Sequence, residues 1–212
     1  MKIIKPYFEI KTDLSEAAVM NQLKAIEETA RTCYKSEDRI TEDGESAKKM
    51  IANLIRNGHE AMLEHSSLSV KFICDRGVSH ELVRHRLCSF AQESTRYCNY
   101  GNNKFGKEIT VIEPSFFSGR LQEYAIWKIA CECAEKAYFD LLDAGSTPQE
   151  ARSVLPNSLK TEITLTTNFR EWRSILKLRT QNDVHPQMLE LTRPLLDELQ
   201  DRIPVIFDDI TY

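Results

Sequence analysis

Residues 84 to 96 read Arg84-His85-Arg86-Leu87-Cys88-Ser89-Phe90-Ala91-Gln92-Glu93-Ser94-Thr95-Arg96, placing three arginines and one of the chain's five histidines in thirteen positions. This is the sharpest local bias in the sequence. Guanidinium forks suit phosphate oxygens and the flat edges of heterocycles, and one lying near apolar surface is costly unless an anion or acceptor pairs with it. Gln92, Ser94, Thr95 and Arg96 follow at once with amide, hydroxyl and guanidinium groups, the set a nucleoside monophosphate requires. A plainer account also fits, in which Arg86 snorkels past apolar neighbours and the other arginines solvate the surface. The periodicity predicts a helix from Val78 to about Phe90, with Leu82, Val83, Leu87 and Phe90 on one arc, Arg84 outside it and Arg86 within it.

Other local patterns each lack a required member. Gly101-Asn102-Asn103-Lys104-Phe105-Gly106-Lys107-Glu108 resembles a phosphate-binding loop until Glu108 stands where Ser or Thr must hold magnesium, and the β-rich run Ile109 to Ile112 follows where a helix is needed. His59-Glu60-Ala61-Met62-Leu63 starts like a zinc-protease motif but has leucine for the second histidine. His65 comes two residues late, about 120° away around a helix. Cys131 and Cys133 diverge likewise on one helix, so no metal site is expected. The seven glycines compare with roughly 15 at average usage and never form the G-x-G turn of a dinucleotide-binding fingerprint.

The elements that must position these groups are scattered strands and helices. Lys2 to Ile10 reads as a strand, and Thr12 and Asp13 offer caps for a helix ending near Cys33. A helix from about Glu45 stops at Gly58, Ser67 to Cys74 alternates as a half-buried strand, and Ile109 to Ile112 is a short strand. Leu121 to Ala144 is the longest helix, apolar on more than one side, which predicts burial on two faces. A helical turn from Pro148 stops at Pro156, Lys160 to Thr167 is a strand, and helices close the chain over Phe169 to Thr180 and Pro186 to Arg202. No linker or repeat divides it, and the expected fold is one compact α+β domain spanning 1–212 with a mainly antiparallel sheet. Net charge of −4, without a basic stripe, argues against nucleic acid as a partner; no stretch is apolar enough for a membrane span, and no secretory signal is visible. The expectation is a cytoplasmic protein whose six cysteines are free.

Arg84-His85-Arg86, then Ser89, Ser94 and Arg96, give the pattern RHR-x2-S-x4-S-x-R, which resembles the signature of the flavin-dependent thymidylate synthases. Gly58-His59-Glu60, twenty-five residues before Arg84, is similar to the family's histidine block near the flavin. Ala151-Arg152-Ser153-Val154-Leu155-Pro156 resembles its A-R-x-x-L-P turn, and Asn168 with Arg179 eleven residues later matches its flavin-contacting asparagine and its arginine at the uracil ring. The blocks occur in the family's order from about His59 to Arg179. His80-Glu81 stands where some relatives have Arg-Gln, Ser174 where some have Asn, and Ala61 where some carry a hydroxyl.

The resemblance implies methylation of 2′-deoxyuridine 5′-monophosphate (dUMP) to thymidylate (dTMP), with 5,10-methylenetetrahydrofolate giving the carbon and NADPH the electrons through tightly bound FAD. It implies Arg179 as the catalytic cation at the uracil N1/O2 edge. Glu81, Arg84, Gln92, Glu93, Ser94, Thr95, Arg96 and Arg152 are implied as dUMP contacts, with Arg96 and Arg152 clamping the phosphate or pyrimidine beside the amides of residues 93 to 95. His59, Arg84, His85, Arg86, Gln92, Asn168 and Ser174 are implied as FAD contacts. Ser94, with no obvious base near it, is expected to bind substrate and not to act as nucleophile. The family's homotetramer, with flavin held between subunits, is the implied assembly.

Overall fold

Pro6 has no N–H to give a strand ladder, and the N-terminal run splits around it into β1 (Lys2–Ile4) and β2 (Tyr7–Ile10). The computed structural model describes residues 1–212 apart from the side chain of Lys104, which lies in the loop resembling a phosphate-binding loop. The remaining strands are β3 (Ser67–Asp75), β4 (Ser89–Gln92), β5 (Thr110–Ile112) and β6 (Lys160–Asn168). β1 pairs with β5 in parallel, and the larger sheet has the order β2-β3-β6-β4. In that sheet β6 runs antiparallel to β3, since Ser66 faces Phe169 and Arg76 faces Asn157. It also runs antiparallel to β4, with Glu162 opposite Glu93 and Thr167 opposite Leu87. The fold is α+β with a mainly antiparallel sheet, as expected, and β1-β5 is the parallel exception.

The helices begin and end for local reasons. α1 (Glu16–Thr32) is capped by Ser15, whose hydroxyl accepts from the Ala18 amide at 3.4 Å, while Asp13 accepts from the Ser15 amide at 2.8 Å. The cap therefore lies two residues beyond the expected Asp13. α2 (Glu45–Arg56) closes through left-handed Gly58 (φ +72°), with the Gly58 amide on the Ile55 carbonyl and the His59 amide on the Leu54 carbonyl. That six-to-one, five-to-two pairing needs a left-handed residue, which glycine adopts without a Cβ penalty.

The helix expected over Val78 to Phe90 is corrected. α3 covers only Arg76–Leu82, and Ser89–Gln92 is a strand. Of the arc that suggested helix, Leu82 is buried, but Leu87 is 68% exposed and Val83 42%. Hydrogen bonds to β6 decide the outcome: the Glu93 amide donates to the Glu162 carbonyl at 2.8 Å and the Thr167 hydroxyl to the Leu87 carbonyl at 2.6 Å. Tertiary pairing outweighs a helical periodicity that is only a weak local preference. The placement of Arg86 within a helical arc falls with the helix.

Contacts cluster into two compact units, each discontinuous in sequence: Met1–Tyr7, Phe72–Arg84 and Phe90–Thr164 form one, and Phe8–Lys71, His85–Ser89 and Leu165–Tyr212 the other. The first unit packs Ile109, Val111, Tyr138, Ala151 and Leu159 beneath α4 (Leu121–Asp143) and α5 (Pro148–Ala151). One side of α4 is buried at Cys131 and Tyr138, while Leu121, Ile126 and Ile129 on it are 84%, 61% and 60% exposed. Within one chain the expected second buried face of α4 is uncovered.

The second unit holds α1, α2, α6 (Phe169–Arg179), α7 (Pro186–Arg202) and α8 (Pro204–Phe207), a last turn that the sequence reading did not separate. Its core contains Phe169, Trp172 and Phe207, with the Trp172 indole donating to the Leu68 carbonyl at 2.9 Å. Buried Arg173 is held there by Asp209 at 2.6 and 2.7 Å, by Glu60 at 3.1 Å and by the Ile206 carbonyl. A buried guanidinium deprived of its carboxylate is left with an uncompensated charge. Asp209→Ala, with Glu60 still in place and Asp209 itself half-exposed, is expected to lower unfolding free energy by about 1–3 kcal/mol in urea titrations; an unchanged midpoint would remove this structural role.

Candidate active site

In the first unit β6 and α3 hold Gln92 in a defined orientation. Its amide nitrogen donates to Ser79 Oγ at 2.9 Å and Thr161 Oγ1 at 3.2 Å. Ser79 gives its one hydroxyl proton to the Arg76 carbonyl at 3.0 Å, so it can only accept from Gln92. Gln92 therefore turns an acceptor oxygen outward, which suits a ring N–H and repels a phosphate.

The residues after β4 divide their work. The Glu93 amide belongs to the sheet, and its carboxylate accepts from Tyr100 Oη at 3.0 Å and pairs with Lys160 at 2.9 Å. Glu93 thus meets protein partners through both its amide and its carboxylate. Ser94 Oγ accepts from the Arg96 amide at 3.3 Å, and no described hydrogen bond joins it to a base. Buried Thr95 accepts from Arg152 Nη1 at 3.5 Å, while Arg96 Nε donates to Gln149 at 3.2 Å and its guanidinium lies 5.3 Å from the Tyr97 ring centroid. Arg152, delivered by the turn after α5, lines a cavity of about 450 Å³ with Arg76, His80, Thr95, Pro156 and Asn157. Arg76 in turn donates to Thr161 at 3.3 Å. Glu81 and Arg84 end this segment of the first unit, Glu81 half-buried and Arg84 exposed.

The second unit gathers most of the flavin-directed set. Asn168 ends β6 and caps α6, its Oδ1 accepting from the Glu171 amide at 2.9 Å. One α6 helix then presents Glu171, Ser174 and Arg179. A cavity of about 470 Å³ is lined by Leu87, Asn168, Glu171, Ser174, Glu60, Glu64, Arg170 and Lys177. Arg179 Nε donates to His85 Nε2 at 3.2 Å, and His85 Nδ1 lies 3.7 Å from Glu171. His59 is exposed at the start of the helical turn Glu60–His65, and Arg86 is exposed. Burial, and then the Arg179 charge, push the His85 pKa below its usual value; burial raises that of Glu171. Sequence reasoning missed Ser79, Thr161 and Glu171. Thr161 left a signal, because it occupies an inward position of alternating β6, where a polar residue needs a partner.

An α+β chain that sets arginines against neutral hydroxyl, amide and imidazole groups is built to take up anionic ligands. Comparison narrows that class. The model of the family described as thymidylate synthase complementing protein matches residues 17–205. A flavin-dependent thymidylate synthase of Corynebacterium aurimucosum is 31% identical over 87% of this chain and 78% of its own length, and one of Geobacter sulfurreducens is 30% identical over 87% and 80%. A crystal structure of the UMP/dUMP methylase PolB from Streptomyces cacaoi, bound with 5-Br dUMP, superposes with a TM-score of 0.80 at 23% identity, covering 98% of this chain and 96% of that one. The chain belongs to the thymidylate synthase complementing protein family.

His85 supplies a pH-dependent contribution to stability. Its folded pKa lies below the unfolded value near 6.5, so the unfolded chain takes up a proton first as pH falls. The contribution is complete above about 6.5 and is lost as pH drops towards the lower folded value, at no more than about 1.4 kcal/mol per pH unit. Urea midpoints at pH 7.5 and 5.5 are expected to fall further for the native chain than for His85→Gln, and an equal fall would contradict the assignment.

Proposed function

We propose that this chain converts dUMP to dTMP, taking the carbon from 5,10-methylenetetrahydrofolate and electrons from NADPH through FAD. The observation that carries this reading is the pairing of Arg152 and Arg96 with neutral Thr95 and Gln149, not with carboxylates, beside the acceptor presented by Gln92. A guanidinium anchored by a neutral partner is held in place yet keeps its charge for an anion. Arg152 and Arg96 would take the 5′-phosphate, aided by the amides of Ser94 and Thr95. Gln92 Oε1 would accept from a uracil ring N–H, and the Ser94 hydroxyl would bind, lacking a base to make it a nucleophile.

Arg179 would stand at the N1/O2 edge of uracil and stabilise the negative charge that develops as C5 becomes electron-rich. Its Nε contact, neutral His85, does not cancel that charge.

The second-unit cavity fits a flavin ring. Leu87 offers an exposed apolar face, Ser174 a hydroxyl, and Asn168 an amide N–H2 whose orientation is fixed because its oxygen caps α6. Of the three carboxylates on the same wall, Glu64 pairs with Arg170 and Glu60 with Arg173, while Glu171 faces His85. When bound, FAD supplies the hydride chemistry. His59, Arg84 and Arg86, all exposed, would face its ring or diphosphate, with His85 beside them. Glu81 remains assigned to dUMP as the substitute for the family's glutamine.

The assembly proposed is the family's homotetramer with sites shared between subunits. The uncovered apolar residues Leu121, Ile126 and Ile129 of α4 support it. Six cysteines outside any disulfide suit a reducing, cytoplasmic setting.

The test is a visible spectrum of the purified chain, an assay of dUMP methylation and rescue of a thymidine-requiring cell. A yellow protein that forms dTMP and restores growth is expected; a chain that takes up no flavin and rescues nothing would refute the reading, and a yellow one inert on dUMP would shift the substrate. Arg179→Ala is expected to keep fold and flavin while turnover drops at least about 100-fold, the scale of losing one charge-stabilising donor. Normal turnover in that variant would exclude Arg179 as the catalytic cation.

A further inference from the structure

Glu171 has no part in the roles above, yet it sits behind the residue that holds Arg179. A guanidinium only donates, so the 3.2 Å contact from Arg179 Nε requires a bare lone pair on His85 Nε2. The imidazole is held neutral by burial and by Arg179, and its single proton must then be on Nδ1. That nitrogen faces Glu171 Oε1 at 3.7 Å, close enough for electrostatic orientation though too long for a direct hydrogen bond. Both side chains are largely shielded from water, at 9% and 16% exposed, which strengthens the effect. The Glu171 backbone is itself fixed, since its amide is tied to Asn168 in the first turn of α6.

We propose that Glu171 is a positioning residue: its carboxylate selects the Nδ1–H tautomer of His85, which presents the Nε2 lone pair to Arg179 and sets the direction of the guanidinium. The order is carboxylate, imidazole, guanidinium: the carboxylate's charge orients the ring, and the ring's lone pair fixes the guanidinium. Loss of Glu171 removes the negative charge that favours a proton on Nδ1 and lets the ring place a proton toward Arg179, where two donors would collide. The effect on turnover rests on the assignment of Arg179 given under the proposed function; the tautomer does not.

The test reads the tautomer directly. The full chain as purified, labelled with 15N-histidine, is examined by side-chain NMR at pH 7.5, with the His85 signals assigned from His85→Gln. The native chain is expected to show a protonated Nδ1 and a bare Nε2. Glu171→Gln, whose amide carbonyl still turns a partial negative charge toward Nδ1, should keep that form as the majority, and Glu171→Ala should lose it. In the dUMP methylation assay kcat should fall about tenfold in Glu171→Ala with KM for dUMP within twofold, and Glu171→Gln should recover most of the loss. A native His85 protonated on Nε2, or a tautomer unchanged in Glu171→Ala, overturns the proposal. If Glu171→Ala does not fold, the native spectrum and Glu171→Gln decide in the same way. A native chain with the expected tautomer but no dTMP formation would refute the proposed function and leave the positioning role standing.

Discussion

The Glu171 amide bonded to Asn168 Oδ1 marks where β6 becomes α6, and the placement of the second cavity depends on it. A strand cannot feed a helix without leaving orphan N–H groups, and an asparagine at the junction satisfies one of them. Because Asn168 ends the strand at that point, the residues of α6 fall at fixed angles beyond it: Glu171 and Ser174 on the cavity wall, Trp172, Ile175 and Leu176 in the core, Arg179 at the last position. A cap slipped by one residue would rotate the helix by about 100° and exchange core for cavity. The same side chain thus terminates a strand, starts a helix and lines the cavity.

Arginine in this chain falls into two groups that charge counting merges. Arg31 and Arg173 are buried and face carboxylates, Glu27 in one case and Asp209 with Glu60 in the other. Those pairs hold elements together, and the charge is neutralised inside the protein. Arg76, Arg96 and Arg152 instead donate to Thr161, Gln149 and Thr95. Neutral partners give direction without cancelling charge, so the cations remain available to a phosphate although the chain as a whole is at −4. The partner decides whether an arginine's charge is cancelled inside the protein.

That distinction explains what the sequence could convey. The signature from Arg84 to Arg96 was legible because its members are near in sequence and follow a fixed spacing, as were the caps and stops that depend on a few neighbouring residues, such as Gly58 and Pro186. The helix predicted through Phe90 was misread because β4 exists only by pairing with β6, some seventy residues away. The uncovered face of α4 shows the same limit in another form: its apolar residues were visible, but a single chain does not bury them. Periodicity reports that a face is apolar, and only three-dimensional neighbours decide what covers it.

At Gln92 the sequence shows a residue type and the structure shows its orientation. As a residue type it can donate or accept, so placing it beside a nucleotide left open which half of the amide faces the ligand. Ser79 settles that by giving its proton to the Arg76 carbonyl, and Arg76 is itself tied to Thr161, the second acceptor of the Gln92 amide. The chain of donors therefore begins at a backbone carbonyl and ends at an outward-facing oxygen. His85 is set by comparable logic, from a guanidinium that can only donate. In both places a residue able to play either part is made single-valued by a neighbour that can play only one, and this turns a cluster of polar side chains into a site with a defined complement.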